Sequence, residues 1–276
     1  MTRLAGLIRL GHPFPSLLDG AMTALAAMIA GGAGVDAVRL GIAMVALQVG
    51  IGATNDLIDA PGDAGSKLAK PIPAGIVTPR TARFAIVAAF GVGLVLAAAS
   101  GPSTLLLAVV GMGIGLLYDL VLKGTAWSWL PFALGVPLIP VFGWLGATGS
   151  LPRSFLVLVP AAFAAGAALA IANALADIER DRDAGTGSIA ITLGFARAWA
   201  VDALLIALVG VGAVVSAAAF HGPSGATLLV AAAAACPLAG VALSRGGGAG
   251  RRERGWEVQA IGFAILAVAW LAVVLT

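Results

Sequence analysis

Apolar runs long enough to cross a lipid bilayer recur along the whole sequence, and they constrain the fold more than any other feature. The 276 residues are 60% hydrophobic and only 11% charged, whereas soluble domains carry roughly 25% charged residues. A transmembrane helix needs about 20 predominantly apolar residues. The sequence therefore predicts an all-α membrane protein, a single integral membrane domain over 1–276 with about nine spans. We place the spans at 14–32, 39–58, 81–100, 102–120, 128–147, 154–177, 198–219, 225–243 and 256–275.

Basic residues are distributed unevenly between the two sets of loops. The N-terminus and the loops after even-numbered spans hold fourteen of the sixteen Lys and Arg residues, and only Arg39 and Arg153 fall on the opposite side. Because cytoplasmic loops concentrate Lys and Arg, we expect these loops to face the cytoplasm from the cell inner membrane. The same distribution explains the net charge of +3, so a nucleic-acid partner is not indicated. We interpret the basic run at 245–256 as a topology signal.

Two acidic clusters share one spacing at the cytoplasmic ends of even-numbered spans. NDLIDAPGD ends the second span and NALADIERD ends the sixth. Each follows the pattern N-x3-D-x3-D, through Asn55, Asp59 and Asp63 and through Asn173, Asp177 and Asp181. The repetition four helices apart predicts an internal duplication, with two pseudo-repeated helix bundles.

The clustered carboxylates indicate a cation site. Residues four apart share one helix face, and carboxylates packed there are costly in a membrane setting unless they are paired or bind cations. Mg²⁺ is usually held by one or two carboxylates while substrate phosphates complete its shell. The predicted cytoplasmic loops supply cations that could balance phosphate oxygens: Lys67 and Lys70 after the first cluster, Lys123 after the fourth span, and Arg180 and Arg182 at the second cluster. Solvated loop charges are the alternative, but seven of the thirteen acidic residues lie in these two clusters when Asp183, two positions beyond the second, is included, which favours a magnesium–diphosphate site.

These motifs resemble those of the UbiA superfamily of intramembrane prenyltransferases. The family's N-D-x-x-D-x-x-x-D motif matches Asn55 to Asp63, and its basic-Pro-x-Pro-x-Gly signature matches Lys70 to Gly75. The second motif, D-x-x-x-D, matches Asp177 and Asp181. GSIAITLG at 187–194 and the pair Tyr118 and Lys123 are also similar to the family's sequences.

The resemblance implies nine helices around a central cavity and a Mg²⁺-dependent reaction. An isoprenyl group would pass from an allylic polyprenyl diphosphate to an aromatic, quinone-precursor-like or other lipophilic acceptor, releasing diphosphate. The implied metal ligands are Asp56, Asp59, Asp63, Asp177 and Asp181. Asp56, Asp59, Asp177, Asp181 and Lys123 would be catalytic, and Asn55, Lys70, Asn173, Tyr118 and Arg182 would bind the substrate.

Two positions depart from the family's pattern. Many members have arginine where this chain has Ala60, and Pro61 follows it. Proline disfavours helix at the preceding residue and lacks an amide donor, so we expect helix to be disfavoured at Ala60, which leaves the position of Asp63 open. Lys70 stands where arginine is usual, which removes bidentate geometry toward phosphate.

Other functions remain open at this point. A membrane terpene cyclase of the same superfamily would use the same ionisation without an acceptor. A cation-coupled transporter is a weaker alternative, because transporter sites usually lie near the bilayer midplane. A phospholipid head-group transferase is set aside because its D-G-x-x-A-R signature is absent.

Four further polar residues receive provisional interpretations. Asp119 either pairs with Lys123 as an ordinary ion pair or orients it. Asp19 could touch the acceptor if it faces the cavity. His12 and His221 are interpreted as loop or interface residues on opposite sides of the membrane.

Overall fold

The structure is a computed structural model that describes residues 2–63 and 70–274, and it contains no strand within those residues. Lys67 lies outside them. The helices are α1 (Arg3–Leu10), α2 (Pro13–Ile29), α3 (Gly34–Asp63), α4 (Pro79–Ala98), α5 (Pro102–Leu117), α6 (Leu130–Thr148), α7 (Phe155–Ala176), α8 (Ile178–Asp183), α9 (Ile189–Leu193), α10 (Phe195–His221), α11 (Gly225–Ser244) and α12 (Ala249–Val274). A π-helical turn, Tyr118–Leu122, continues α5.

The described helices match the predicted spans in order. Eight helices in the described part of the chain are long and apolar enough to cross a membrane: α3, α4, α5 with its π turn, α6, α7, α10, α11 and α12. The first predicted span corresponds to α2, an apolar helix of 17 residues. The all-α membrane fold is therefore confirmed, while the count of nine, the central cavity and the duplication stay predictions.

The expectation that Pro61 disturbs the helix is wrong. α3 runs through Pro61 and is described as far as Asp63. The proline cannot donate to the Leu57 carbonyl, but this removes a single helical bond, and an ion pair with Lys70 holds Asp63 at 2.8 Å. Asp63 therefore lies on the same helix as Asp56 and Asp59.

The chain divides into two compact units. The first comprises Met1–Val121 and Ile139–Leu151, and the second comprises Leu122–Leu138 and Pro152–Thr276. In the first unit, Leu40, Met44 and Phe142 belong to one buried apolar cluster. In the second unit, Leu175 and Ile178 belong to another. Each unit thus buries apolar side chains from the helix that carries its acidic motif.

Small residues allow the helices within each unit to approach closely. In the first unit, a Cβ at Gly20 would lie 2.9 Å from the Gly41 carbonyl oxygen. In the second unit, a Cβ at Gly255 would lie 2.8 Å from the Gly240 carbonyl oxygen. Without a hydrophobic driving force between helices in lipid, such close backbone packing is a main source of association.

Candidate active site

The first acidic motif surrounds one lysine ammonium. The final turns of α3 place three aspartates on one helix face, and Lys70 Nζ lies 2.8 Å from Asp56 Oδ1, 3.3 Å from Asp59 Oδ2 and 2.8 Å from Asp63 Oδ2. Asp56 and Asp63 are buried, with 3% and 6% of their surface exposed. Three carboxylates against one ammonium leave an excess of two negative charges, which suits one divalent cation.

A compact turn aims Lys70 at these carboxylates. The Ala74 amide donates to the Lys70 carbonyl at 3.0 Å, and the Ile76 amide donates to the Pro71 carbonyl at 3.0 Å. Gly75 has φ +69°, a left-handed conformation that side chains rarely adopt. Ile72 is buried in a core cluster with residues of α1 and α3. The Pro-x-Pro-x-Gly signature therefore positions the lysine that precedes it.

The charge on Lys70 is strongly favoured. Burial lowers the pKa of Lys70, but hydrogen bonds to Asp56 and Asp63 and the charges of Asp56 and Asp59 outweigh it. The pKa of Lys70 therefore lies above its ordinary value. Opposite charges within about 4–6 Å favour the charged form of a lysine, so Lys70 stays a cation at neutral pH.

Asn55 connects the motif to the π-helical turn. Its Nδ2 donates to Asp119 Oδ1 at 2.8 Å, and Asp119 is buried at 5% exposure. Tyr118 begins the same π turn, and such turns occur frequently at functional sites. Asp119 thus orients Asn55, a partner that the sequence analysis did not propose, while its pairing with Lys123 stays a prediction.

His12 is a residue at the site that the sequence analysis missed. Its Nε2 lies 3.3 Å from Asp56 Oδ1, although it is 44 positions away in sequence. The sequence alone indicates only a loop or interface residue at this position. Spacing gives no signal for such a contact, because it depends on how α2 packs against α3.

Asp19 lies further along the same pair of helices. Gln48 Nε2 donates to Asp19 Oδ2 at 2.6 Å, which links α2 to α3. Gln48 precedes Asn55 by two helical turns, a distance of roughly 10 Å along the helix axis. The pair therefore places polar groups within the membrane-spanning part of the first unit.

The second acidic motif is built differently. α7 ends at Ala176, and Asp177 stands between α7 and α8 with φ −101°. We expected one continuous helix face, but the helix is interrupted at the motif's central aspartate. Arg180 Nη2 contacts Asp177 Oδ1 at 2.9 Å, and both Arg180 and Arg182 are exposed. This motif is therefore more open to solvent than the first.

Arg252 is a second residue that the sequence analysis missed. Its side chain is buried at 5% exposure and contacts Glu179, which lies inside the second motif. It also donates to the Gly247 carbonyl at 2.8 Å and lies 5.7 Å from the centre of the Phe195 ring. The run at 245–256 thus contributes more than a topology signal. Because several basic residues stand close together in this run, its sequence does not indicate which of them is buried.

The loop that carries Lys123 packs beside the second motif. The Thr186 amide donates to the Asp181 carbonyl at 2.8 Å, and a Cβ at Gly187 would lie 2.7 Å from the Gly124 carbonyl oxygen. Lys123, Asp177, Asp181, Arg182 and the half-buried Asn173 all belong to the second unit. The remaining predicted site residues, Asn55, Asp56, Asp59, Asp63, Lys70 and Tyr118, belong to the first.

The donor set of the first motif has the chemistry of a divalent-cation site. Within residues 2–63 and 70–274, no three His, Cys, Asp or Glu side chains form a group ready to hold a metal ion. In the first motif the ammonium of Lys70 is the shared partner of the three carboxylates. Carboxylate oxygens are the donors that Mg²⁺ prefers, so the chemistry of this group suits that ion.

Comparisons with known proteins agree with the fold. Digeranylgeranylglyceryl phosphate synthase from Natronomonas pharaonis is 36% identical over 98 residues, which span 35% of each chain. The apo structure of a UbiA homolog from Aeropyrum pernix K1 has a TM-score of 0.75 at 22% identity and covers 92% of this chain and 96% of that one. A UbiA homolog from Archaeoglobus fulgidus bound to GPP and Mg²⁺ has a TM-score of 0.73 at 20% identity, with coverage of 95% and 99%.

The family assignment rests on a longer match. Residues 20–254 match the sequence model of the UbiA prenyltransferase family, a range that includes both acidic motifs and the turn that positions Lys70. The chain therefore belongs to the UbiA prenyltransferase family.

Proposed function

We propose that this protein transfers an isoprenyl group from an allylic polyprenyl diphosphate to a lipophilic acceptor and releases diphosphate. The observation that carries the proposal is the group of three aspartates around Lys70 at the end of α3. In a member of a prenyltransferase family, such a group supplies carboxylates for a metal ion and a cation for phosphate. The A. fulgidus homolog bound to GPP and Mg²⁺ supports both parts.

Five aspartates would hold Mg²⁺ in this proposal: Asp56, Asp59, Asp63, Asp177 and Asp181. When bound, the metal supplies positive charge where negative charge develops on the departing diphosphate. Lys70, Lys123 and Arg182 bind phosphate oxygens, which requires Lys70 to leave its carboxylates. Asn55, Asn173 and Tyr118 also contribute to substrate binding.

The acceptor is aromatic and quinone-precursor-like or another lipophilic molecule. The similarity to a digeranylgeranylglyceryl phosphate synthase supports a lipid acceptor as an alternative to an aromatic one. Ionisable residues inside membrane helices are functional candidates by default. Asp19 is such a residue, and it accepts a hydrogen bond from Gln48. We assign these two side chains to a polar group of the acceptor.

Pyrophosphate release in detergent tests the reaction. The purified protein, incubated with geranyl diphosphate and Mg²⁺, is expected to release pyrophosphate only when a lipid extract supplies an acceptor. Lys123→Ala should weaken diphosphate binding or its ionisation. Acceptor-free formation of a cyclic product would establish the cyclase alternative, and absence of any release would favour a transporter. Mass spectrometry of the product identifies the acceptor by the mass gained.

The active site is proposed to face the cytoplasm of the cell inner membrane. Single cysteines at Thr186 and Ser150, both exposed, should be introduced in a Cys236→Ala background. A membrane-impermeant maleimide added to whole cells is expected to label Ser150→Cys and not Thr186→Cys, since basic residues mark the cytoplasmic side. The reverse labelling pattern would contradict this orientation.

A further inference from the structure

His12 occupies a backbone conformation that is unusual for its residue type. It has φ 48° and ψ 67°, and it is the only non-glycine residue with positive φ in the described part of the chain. A left-handed conformation at a non-glycine residue is uncommon, and residues held in such sparsely populated regions cluster at functional sites. The conformation therefore indicates a functional role for the side chain.

The turn that holds His12 is fixed on both sides. Pro13 follows it as the first residue of α2. Ser16 Oγ donates to the Gly11 carbonyl at 2.7 Å, and Ser16 is buried. The His12 amide donates to the Arg9 carbonyl at 3.1 Å. Several contacts therefore hold the histidine in this conformation.

The imidazole ring lies against α3 at a position that no side chain occupies. A Cβ at Gly52 would lie 2.8 Å from His12 Cδ2 and 3.2 Å from its Cγ. Real Cβ atoms essentially never approach a heavy atom that closely. Gly52 precedes Asp56 by one helical turn, so the ring packed there reaches the aspartate, with Nε2 at 3.3 Å from Oδ1.

We propose that His12 is a positioning residue that holds Asp56 toward the metal when Lys70 leaves it. Asp56 Oδ1 contacts both His12 Nε2 and Lys70 Nζ. The carboxylate accepts, so the ring donates through Nε2–H. Binding of diphosphate draws Lys70 away in the proposed function, on which this inference rests, and the histidine remains as a fixed donor to the same oxygen. Groups that orient metal ligands in this way typically change metal affinity 10–100-fold when lost.

Manganese binding tests this role without relying on turnover. The purified protein in detergent, saturated with inorganic pyrophosphate, is titrated with Mn²⁺, and free Mn²⁺ is followed by electron paramagnetic resonance. His12→Gly keeps the left-handed backbone and removes the ring, so affinity should fall about tenfold. His12→Gln restores a donor of similar reach and should recover to within about threefold of wild type. Unchanged affinity in His12→Gly, or equal losses in both variants, would overturn the proposal.

Gly52→Ala perturbs the ring from the other side without altering Asp56. The added methyl group displaces the imidazole, so we expect a loss of Mn²⁺ affinity close to that of His12→Gly. In the double variant Gly52→Ala with His12→Gly the ring is gone, so the methyl group should add little, a non-additivity that double-mutant cycles detect. Gly91→Ala is the control, since its Cβ would meet nothing within 4 Å, and it should bind like wild type. Additive losses would contradict a role through the ring.

The same titration separates this inference from the proposed function. If wild type binds Mn²⁺ with pyrophosphate and the His12 variants bind equally well, only the positioning role fails. If wild type itself does not bind Mn²⁺ under these conditions, the metal–diphosphate site fails, and the positioning role fails with it.

Discussion

The two acidic motifs have the same spacing but different surroundings. In the first, α3 continues through all three aspartates, and their carboxylates share one half-buried lysine. In the second, the helix stops at Ala176 and restarts at Ile178, so that Asp177 lies at a break. Its side chain is 38% exposed, compared with 4% for the side chain of Asp56.

The difference follows from where each motif finds its counter-charge. The first motif recruits Lys70 from a separate turn, and an ammonium in a partly buried site interacts strongly with carboxylates. In the second motif Asp177 pairs with the exposed Arg180 three residues on, and such exposed pairs contribute little to stability. The buried Arg252 contacts Glu179 and not the aspartates of the repeated pattern. A repeated sequence pattern therefore produced one preformed charge cluster and one open segment.

The largest expected effect comes from removing one carboxylate in each motif. Asp56→Asn and Asp177→Asn should each lower kcat by about a thousandfold or more, because each loses a carboxylate proposed to hold the Mg²⁺ that stabilises the departing diphosphate. Pyrophosphate release from geranyl diphosphate with Mg²⁺ measures the loss. Asp183→Asn, on the exposed end of α8, is the matched control and should stay near wild type. A loss of less than about tenfold in Asp177→Asn alone would show that the second motif serves structure.

Removing the basic residue that pairs with each motif tests the contrast between the two motifs through protein stability. Lys70→Met leaves three clustered carboxylates without their ammonium, and breaking a buried ion pair costs about 3 kcal/mol or more. The thermal unfolding midpoint in EDTA should therefore fall and should recover when Mg²⁺ is added. Arg180→Met should change the free energy of unfolding by no more than about 0.5 kcal/mol, since it removes an exposed pair. Equal destabilisation by the two variants would contradict the contrast between the motifs.

Much of the fold was predictable because hydrophobic runs and basic loops are direct consequences of a bilayer. Each described spanning helix overlaps a predicted span. The first motif was predictable for a similar reason, since spacing of four residues on one helix fixes a common face. The membership in the UbiA prenyltransferase family confirmed the resemblance that these motifs carry.

The remaining features depend on contacts between distant segments. His12 and Arg252 lie 44 and 73 positions from their acidic partners, so no local pattern marks them. Pro61 disfavours helix at Ala60 by its intrinsic preference, yet α3 continues to Asp63, which an ion pair with Lys70 holds. At Asp177 the opposite occurs, because the sequence is compatible with a continuous helix but the helix is interrupted there.

Arg252 offers a smaller test, confined to the second motif. Arg252→Ala removes the buried contact to Glu179 and the interaction with Phe195, so α8 should lose its fixed orientation. We expect kcat to fall about tenfold, as for other residues that orient ligands from outside the site. Arg254→Ala removes an exposed arginine of the same helix and should leave the rate unchanged. Equal rates in both variants would mean that the second motif orders itself without α12.

Substitutions of Asp119 are expected to have the smallest effect. They test whether the first motif needs Asp119 as a hydrogen-bond acceptor for Asn55 or needs the negative charge of Asp119. Asp119→Ala removes the acceptor for Asn55 Nδ2, which lies 2.8 Å away. Losing one typical intramolecular hydrogen bond costs about 1 kcal/mol, which corresponds to a loss of kcat/KM of about fivefold. Asp119→Asn keeps a carbonyl oxygen for Asn55 and removes only the negative charge, so its kcat/KM should stay within about twofold of wild type, because the acceptor is retained. If Asp119→Asn is as impaired as Asp119→Ala, the carboxylate charge is the important property, and the predicted pairing with Lys123 would replace the positioning of Asn55 as its role.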